Sequence, residues 1–205
     1  MICIIDYELG NVISVKNAIE KLGHKCKISR DKNEISLAKG IILPGVGSFE
    51  KGILNLKKYG LIQILKNEII VKKKKVLGIC LGLQLMCEAS EEFGNHLGLS
   101  WVNSKVQKIN TNNFRLPHVG WNKLKIIKKS LLLDGISNDT MFYFNHSYCI
   151  YKKKNQNFNI LGECSYGSDF VAAIQSQNIF GIQPHPEKSQ NQGLKILDNF
   201  CKLKI

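Results

Sequence analysis

Lys75-Val76-Leu77-Gly78-Ile79-Cys80-Leu81-Gly82 decides the fold. Residues 75–79 are a short apolar run of strand length, and residues 81–89 continue it with a helical pattern. Glycines stand two places before and two places after Cys80. That spacing marks a strand-to-helix elbow so tight that neighbouring side chains would collide. An elbow of this kind presents its central side chain at the carboxyl edge of a sheet, where open α/β folds bind ligands. The start of a helix favours negative charge, which suits a thiolate nucleophile. Taken alone, the stretch serves equally well as a Gly-rich strand-to-helix turn around a buried cysteine.

Upstream of the elbow, short apolar runs alternate with amphipathic segments. Residues 2–5 read as a buried strand, and 11–22 as a helix with Val12, Val15, Ala18, Ile19 and Leu22 on one face, stopped at Gly23. Residues 25–29 and 40–43 are further strands, and 49–71 hold one or two helices. Strands alternating with helices imply a mostly parallel sheet covered on both faces. Downstream the character changes: 97–109, 122–127, 141–145, 160–166, 170–176 and 179–183 read as short strands with little helix between them. The last two form a hairpin turned at Gln177-Asn178, and 191–201 is a helix. The expectation is one three-layer α/β domain over residues 1–205. Its mostly parallel central sheet is flanked by helices, with added antiparallel strands in the C-terminal half.

A formal net charge of +13 over 205 residues admits a nucleic-acid or membrane-surface partner. The charge is mainly lysine, dispersed as Lys57-Lys58, Lys72 to Lys75, Lys128-Lys129 and Lys152 to Lys154. These runs fall at predicted helix ends and turns, where charge is simply solvated. None is interleaved with aromatics, so no nucleic-acid partner is expected. No apolar stretch is long enough to span a bilayer. The first strand has no basic lead-in and meets a carboxylate at Asp6, unlike a signal peptide, so the expectation is a cytoplasmic protein without a membrane partner. The seven cysteines include no CxxC and no Cys/His pair at metal-ligand spacing, so neither metal nor cofactor is expected. Cys3, Cys26, Cys149, Cys164 and Cys201 read as small hydrophobes. Cys87, seven residues after Cys80 on the same predicted helix, is given no role.

Two further motifs give Cys80 company. Gln183-Pro184-His185-Pro186-Glu187 follows the strand at 179–182. A thiolate catalyst needs a histidine to manage protons and an acceptor to hold that imidazole in one tautomer. A carboxylate two residues after His185 is the natural orienter. On its own, however, His185 reads as an ordinary surface histidine. Leu43-Pro44-Gly45-Val46-Gly47-Ser48 follows the strand at 40–43 and can turn backbone amides toward a developing oxyanion. It lacks the Lys-Ser/Thr ending of a phosphate-binding loop, and a plain turn is the alternative.

Together these residues resemble the class I (triad) glutamine amidotransferases. More narrowly, they resemble the glutaminase subunits of imidazole glycerol phosphate synthases. The likeness runs nearly end to end, through Asp6-Tyr7, Gly10-Asn11 and Ser14-Val15, then Pro44 to Phe49 and Gly78 to Gln84. It continues with Pro117-His118-Val119-Gly120-Trp121-Asn122, Tyr143-Phe144-Asn145-His146-Ser147-Tyr148 and His185-Pro186-Glu187-Lys188-Ser189. The resemblance implies a Cys80, His185, Glu187 triad that hydrolyses L-glutamine, with an oxyanion hole from the Leu81 amide and the loop at Val46-Gly47. It implies that Gln84, Glu92, Ser147 and Tyr148 hold glutamine, Glu92 at its ammonium group. It places Asn11, Trp121, Tyr143 and Lys188 toward a cyclase subunit of (β/α)₈ fold, in a heterodimer that passes ammonia on to make imidazole glycerol phosphate in histidine biosynthesis.

Two departures from the family pattern stand out. Pro184 stands where phenylalanine is usual, which predicts a displaced His185 or a lost strand bond. Glu8-Leu9 replaces smaller or less charged residues near the expected interface. These departures raise an alternative acceptor: a sugar amidotransferase of surface polysaccharide or flagellin glycan synthesis. Outside the family, the rivals are a stand-alone cysteine hydrolase, active without a partner, and a catalytically silent scaffold.

Overall fold

All four side chains of Ile2–Ile5 are buried, as a strand requires when both faces of its sheet are covered. The computed structural model describes residues 1–111 and 113–204. In chain order these form β1 (Ile2–Ile5), α1 (Val12–Lys21), β2 (Cys26–Ser29), α2 (Lys32–Leu37), β3 (Gly40–Leu43), α3 (Phe49–Lys58) and α4 (Leu61–Lys66). A π-helical turn at Asn67–Val71 leads into β4 (Lys75–Ile79), α5 (Leu81–Leu85), β5 (Cys87–Ser90), β6 (His96–Leu97), β7 (Val102–Lys108) and β8 (His118–Ile126). After a 3-10 turn at Leu131–Leu133 come β9 (Thr140–His146), β10 (Tyr148–Ile150), β11 (Asn159–Tyr166), β12 (Ser168–Ser176) and β13 (Ile179–Ile182). A second 3-10 turn at Pro186–Lys188 precedes α6 (Gln190–Lys202).

The sheet runs β2-β1-β3-β4-β13-β12-β10-β7-β5-β6, with β11, β8 and β9 branching from β12. From β2 to β13 every pairing is parallel, and β12 joins β13 antiparallel. Alternation along the parallel strands divides the core by face. Ile2, Ile4, Ile42, Leu77 and Ile79 pack with Val15 and Ile19 of α1 and Ile196, Leu197 and Phe200 of α6. Cys3, Ile5, Ile41, Leu43 and Val76 pack with Phe49, Leu56, Leu61 and Leu65 of α3 and α4. The result is the expected three-layer α/β arrangement, antiparallel strands included. No helix among the described residues is long and apolar enough to cross a membrane.

Several local expectations need correction. The helix after the elbow ends at Leu85 rather than near 89, and Cys87–Ser90 is a strand pairing with β7. The chain returns to bond the last carbonyls of α5: the Leu99 amide meets the Leu85 oxygen at 2.9 Å and the Trp101 amide the Met86 oxygen at 2.9 Å. Cys87 therefore lies off the helix. α2 was not expected, although Asp31 caps it by accepting from the Asn33 and Glu34 amides. β8 begins at His118, earlier than 122, so the whole His118-Val119-Gly120-Trp121 stretch is extended.

The lysine run at 72–75 is not simply solvated. Lys74 and Lys72 each lie 2.7 Å from the buried Glu68 carboxylate. Burial favours the protonated acid, but hydrogen bonds from Lys72, Lys74 and Ser36 outweigh it and hold Glu68 down to about 2. Lys75 donates to the carbonyls of Phe200, Cys201 and Leu203. It thereby closes the end of α6, where a cation meets the negative pole of the helix.

Candidate active site

Cys80 has φ +50° and ψ −107°, backbone that costs an L-residue about 1–3 kcal/mol. Its neighbours hold it there: its amide donates to the Ile182 carbonyl at 2.8 Å, and its carbonyl accepts from the Gln84 amide at 3.1 Å. A Cβ on Gly82 would stand 1.7 Å from the Leu43 oxygen, and one on Gly78 would stand 2.7 Å from the Leu83 nitrogen. Close backbone approach thus requires both glycines of the elbow.

The parallel register of β13 on β4 sets Ile182 beside Ile79, so Cys80 and the segment 183–187 leave the sheet together. His185 donates its amide to the Tyr143 carbonyl at 2.8 Å, and its own carbonyl accepts from the Ser189 hydroxyl at 2.5 Å. Its Nδ1 lies 2.9 Å from Glu187 Oε1, with the two side chains 2% and 1% exposed. A carboxylate only accepts, so Nδ1 carries the proton and Nε2 is left for chemistry. Nε2 is buried and makes no hydrogen bond of regular geometry. Burial opposes charge on this ring. The Cys80 sulfur, with Glu187 behind it, outweighs burial and raises the imidazole pKa well above the ordinary histidine range.

Pro184 does not have the expected effect. The Gln183 amide makes a bond to β12, to the Ala172 oxygen at 2.8 Å, and the His185 amide turns to β9. Position 184 falls between the bond to β12 and the bond to β9, so no strand bond is lost, and His185 keeps its contact with Glu187.

A cavity of about 60 Å³ beside Cys80 is lined by Val46, Gly47, Leu81, Gln84, Glu92, Ser147 and Tyr148, together with Asn145 and His146. The residues expected for the oxyanion hole and for glutamine therefore converge. The oxyanion loop packs directly on the elbow, where a Cβ at Gly45 would lie 2.5 Å from Leu81 Cβ. The Tyr7 hydroxyl donates to the Pro44 carbonyl behind it. Gly47 has φ +131°, a backbone that other residues adopt only under strain. Glu92 accepts from the Phe49 amide at 2.6 Å. Burial, followed by the Glu92 and Glu91 charges, pushes the Tyr148 phenol upward. A larger cavity of about 650 Å³, lined in part by Leu131, Asp134 and Asn138, contains no cysteine or histidine. Chemistry, not size, places the site at Cys80.

Two details differ from the sequence reading. The Gln84 side chain points its nitrogen at the Tyr148 carbonyl, 2.8 Å away, and at Gln183 Oε1, 3.1 Å away. Gln183, which the sequence reading passed over, is fully buried with its Nε2 3.4 Å from Cys80 Sγ. A polar amide ending the apolar run Ile179-Phe180-Gly181-Ile182 was the available signal. The other six cysteines are free thiols, buried except for the half-buried Cys26 and Cys201. Burial pushes Cys3 and Cys201 up to about 11 and Cys149 and Cys164 up to about 12, and it raises Cys26 and Cys87 as well. Among the described residues no group of His, Cys, Asp and Glu is placed to hold a metal ion.

At the edge of the site, Trp121 pairs with Tyr143 across β8 and β9. Their rings are 6.2 Å apart at 74°, and Lys188 Nζ stands 5.5 Å from the Tyr143 ring centre. Val119, Trp121 and Met141 are exposed on this face, whereas the alternate residues His118, Phe142, Phe144 and His146 point into the core. Asn11 precedes α1, a helix that packs against the Pro186–Lys188 turn.

A cysteine elbow, a histidine tied to a carboxylate, and a backbone loop over the sulfur define a thiol amidase of the triad type. The chain belongs to the class-I glutamine amidotransferase family, whose model, described as "Glutamine amidotransferase class-I", matches residues 3–203. Its relatives narrow this further. It is 45% identical over 203 residues to "Imidazole glycerol phosphate synthase subunit HisH 2" of Methanococcus maripaludis, covering 98% of this chain and 99% of the relative. It is likewise 45% identical over 204 residues to "Imidazole glycerol phosphate synthase subunit HisH 1" of Campylobacter jejuni, covering 99% of this chain and 100% of that one. In fold it is similar to a solved structure described as "Crystal structure of glutamine amidotransferase", with TM-score 0.76 at 14% identity, covering 98% of this chain and 99% of that one.

Proposed function

We propose that this chain is a single-domain, cytoplasmic glutaminase subunit that passes ammonia from glutamine to a (β/α)₈ cyclase, forming imidazole glycerol phosphate in histidine biosynthesis. The observation that carries this reading is the buried Glu187–His185 pair directed at Cys80. Cys80 Sγ attacks the glutamine carboxamide carbon, and the developing oxyanion meets the Leu81 amide and the Val46-Gly47 loop. His185 gives its proton to the departing nitrogen, the C–N bond breaks, and ammonia leaves a γ-glutamyl thioester. His185 then takes a proton from water, whose oxygen attacks the thioester. The C–S bond breaks to free glutamate and Cys80. Glu187 keeps the ring in one tautomer throughout. Glu92 takes the substrate ammonium, with Ser147 and Tyr148 beside it.

The apolar face of the exposed Val119, Trp121 and Met141 and the half-buried Tyr143, with Lys188 at its rim, is the natural docking surface for the cyclase. It leads inward along β9 to Asn145, whose carbonyl lies 3.9 Å from the sulfur. Ammonia is mostly protonated in neutral water and is then no nucleophile, so a sealed passage between subunits preserves the reactive form. The relatives' names favour this acceptor over a sugar amidotransferase.

The test is glutamate release from glutamine by the chain alone and with a cyclase subunit, with and without the ribotide acceptor. Strong stimulation by partner plus ribotide is expected. Stimulation only by a different partner or by a sugar acceptor would keep the glutaminase and overturn the pathway.

A further inference from the structure

Gln183 belongs to neither the triad nor the cavity wall, yet it is fully buried beside the nucleophile. An amide in such a place needs a partner for its oxygen and another for its nitrogen, since a buried polar group left unpaired costs about 1–3 kcal/mol. A carbonyl elsewhere fixes which end faces which neighbour. The Tyr148 oxygen can only accept, so Gln84 turns Nε2 toward it, and the same nitrogen stands 3.1 Å from Gln183. Gln183 must then offer its oxygen to Gln84, which leaves its nitrogen facing Cys80 Sγ at 3.4 Å. Turned over, it would set two nitrogens against each other and an amide oxygen against the sulfur.

The Tyr148 carbonyl is itself held. It accepts from His146 Nδ1 at 2.8 Å. His146 Nε2 accepts from His118 Nδ1 at 3.2 Å, and His118 Nε2 accepts from Asn122 Nδ2 at 3.3 Å. Every donor in this series meets an acceptor only when both rings are neutral and each carries its proton on Nδ1. The series extends from β8 to Tyr148 O, and through Gln84 and Gln183 to the sulfur.

We propose that Gln183 is a catalytic residue that donates a hydrogen bond to the Cys80 sulfur, stabilising it as the thiolate that attacks glutamine and that leaves when the thioester is hydrolysed. The inference rests on Cys80 being the nucleophile. A hydrogen bond to an ionised acceptor is roughly twice as strong as one to a neutral group, so this donor favours the charged sulfur over the thiol. It is uncharged and does not compete with His185 for the proton. Gln84 acts here as a positioning residue that keeps the Gln183 amide the right way round.

The experiment is the rate at which iodoacetamide alkylates Cys80 at neutral pH, located by peptide mass, in the full chain and in Gln183→Met. Melting temperature, kcat and glutamine KM are measured in parallel. The methionine has similar length and no donor. It is expected to slow alkylation and kcat by about tenfold each, with KM changed by less than about twofold. A lowered melting temperature with unchanged alkylation would make Gln183 structural and overturn the proposal. Where Gln183→Met does not fold, Gln183→Glu keeps the volume, replaces the donor with a carboxylate, and is expected to slow alkylation further; an unchanged rate there also overturns it. Cys80→Ala separates the two readings. Glutamine hydrolysis retained in Cys80→Ala removes the nucleophile itself, whereas an inactive Cys80→Ala with undiminished alkylation in Gln183→Met removes only the role of Gln183.

Discussion

His185 and His146 are two nearly fully buried imidazoles near the same cavity, and burial presses both toward the neutral form. His146 yields: desolvation lowers it to about 3, although its bond to the Tyr148 carbonyl pulls the other way. His185 does not yield, because the Cys80 sulfur and the Glu187 carboxylate oppose burial and raise it. The two rings differ in what they hydrogen-bond. One sits between a carbonyl and another imidazole, and the other sits beside groups that can carry negative charge. Burial alone therefore does not mark a catalytic histidine. A buried histidine with anionic neighbours manages protons, and one with neutral acceptors holds its surroundings in place.

The largest consequence is for turnover. Cys80→Ala or His185→Ala should lower glutamine hydrolysis on the order of 10⁶-fold, leaving ammonia-dependent synthesis by the partner intact. Glutamate release with glutamine, against product formation with an ammonium salt, checks both halves. Glu187→Gln retains an oxygen for Nδ1 but removes the charge. About 10⁴-fold of kcat is expected to go with it, and a loss below tenfold would mean that the carboxylate does not control the ring.

A smaller effect belongs to the neutral pair. His118 is lowered to about 4 by burial, and its folded pKa, like that of His146, lies below the unfolded value near 6.5. As pH falls below about 6.5, the unfolded chain takes up protons that the folded rings refuse, so stability declines toward about pH 4. Denaturant melts across that window should show the decline. His118→Phe should flatten it, since only one refusing ring remains; an unchanged slope would place the acid sensitivity elsewhere. The finest test is spectroscopic. In Cys80→Ala the His185 imidazole loses its main charge partner, so its titration, followed by NMR, should move downward while His146 stays neutral at neutral pH. A His185 titration indifferent to Cys80 would dissolve the contrast between the two rings.

Much of the site was legible because tight turns leave strong marks. Gly78 and Gly82 flank Cys80 for reasons of backbone contact, and the spacing of His185 and Glu187 places both on one short segment. The hairpin at Gln177-Asn178 was equally plain, and Gln177 indeed takes φ +52°. Less legible were features that depend on what the chain meets in three dimensions. Leu85 and Met86 end α5 because the returning segment at 99–102 takes up their carbonyls, a partner invisible at residues 81–89. Asp31 with Glu34 was a readable start for α2, but six residues give little periodicity. Gln84 and Gln183 could not be told apart from substrate ligands or strand polars, since their roles follow from the Tyr148 carbonyl.

β13 lies between β4 and β12, in the middle of the sheet, although eight strands separate it from β4 along the chain. Cys80 thus leaves the ribosome long before His185. Until Ile179–Ile182 slots in beside β4, the elbow has neither the Ile182 carbonyl that anchors Cys80 nor the His185 imidazole. A chain that stops before His185 would carry Cys80 without its proposed base, so the proposed ammonia release would wait on the seating of β13 beside β4.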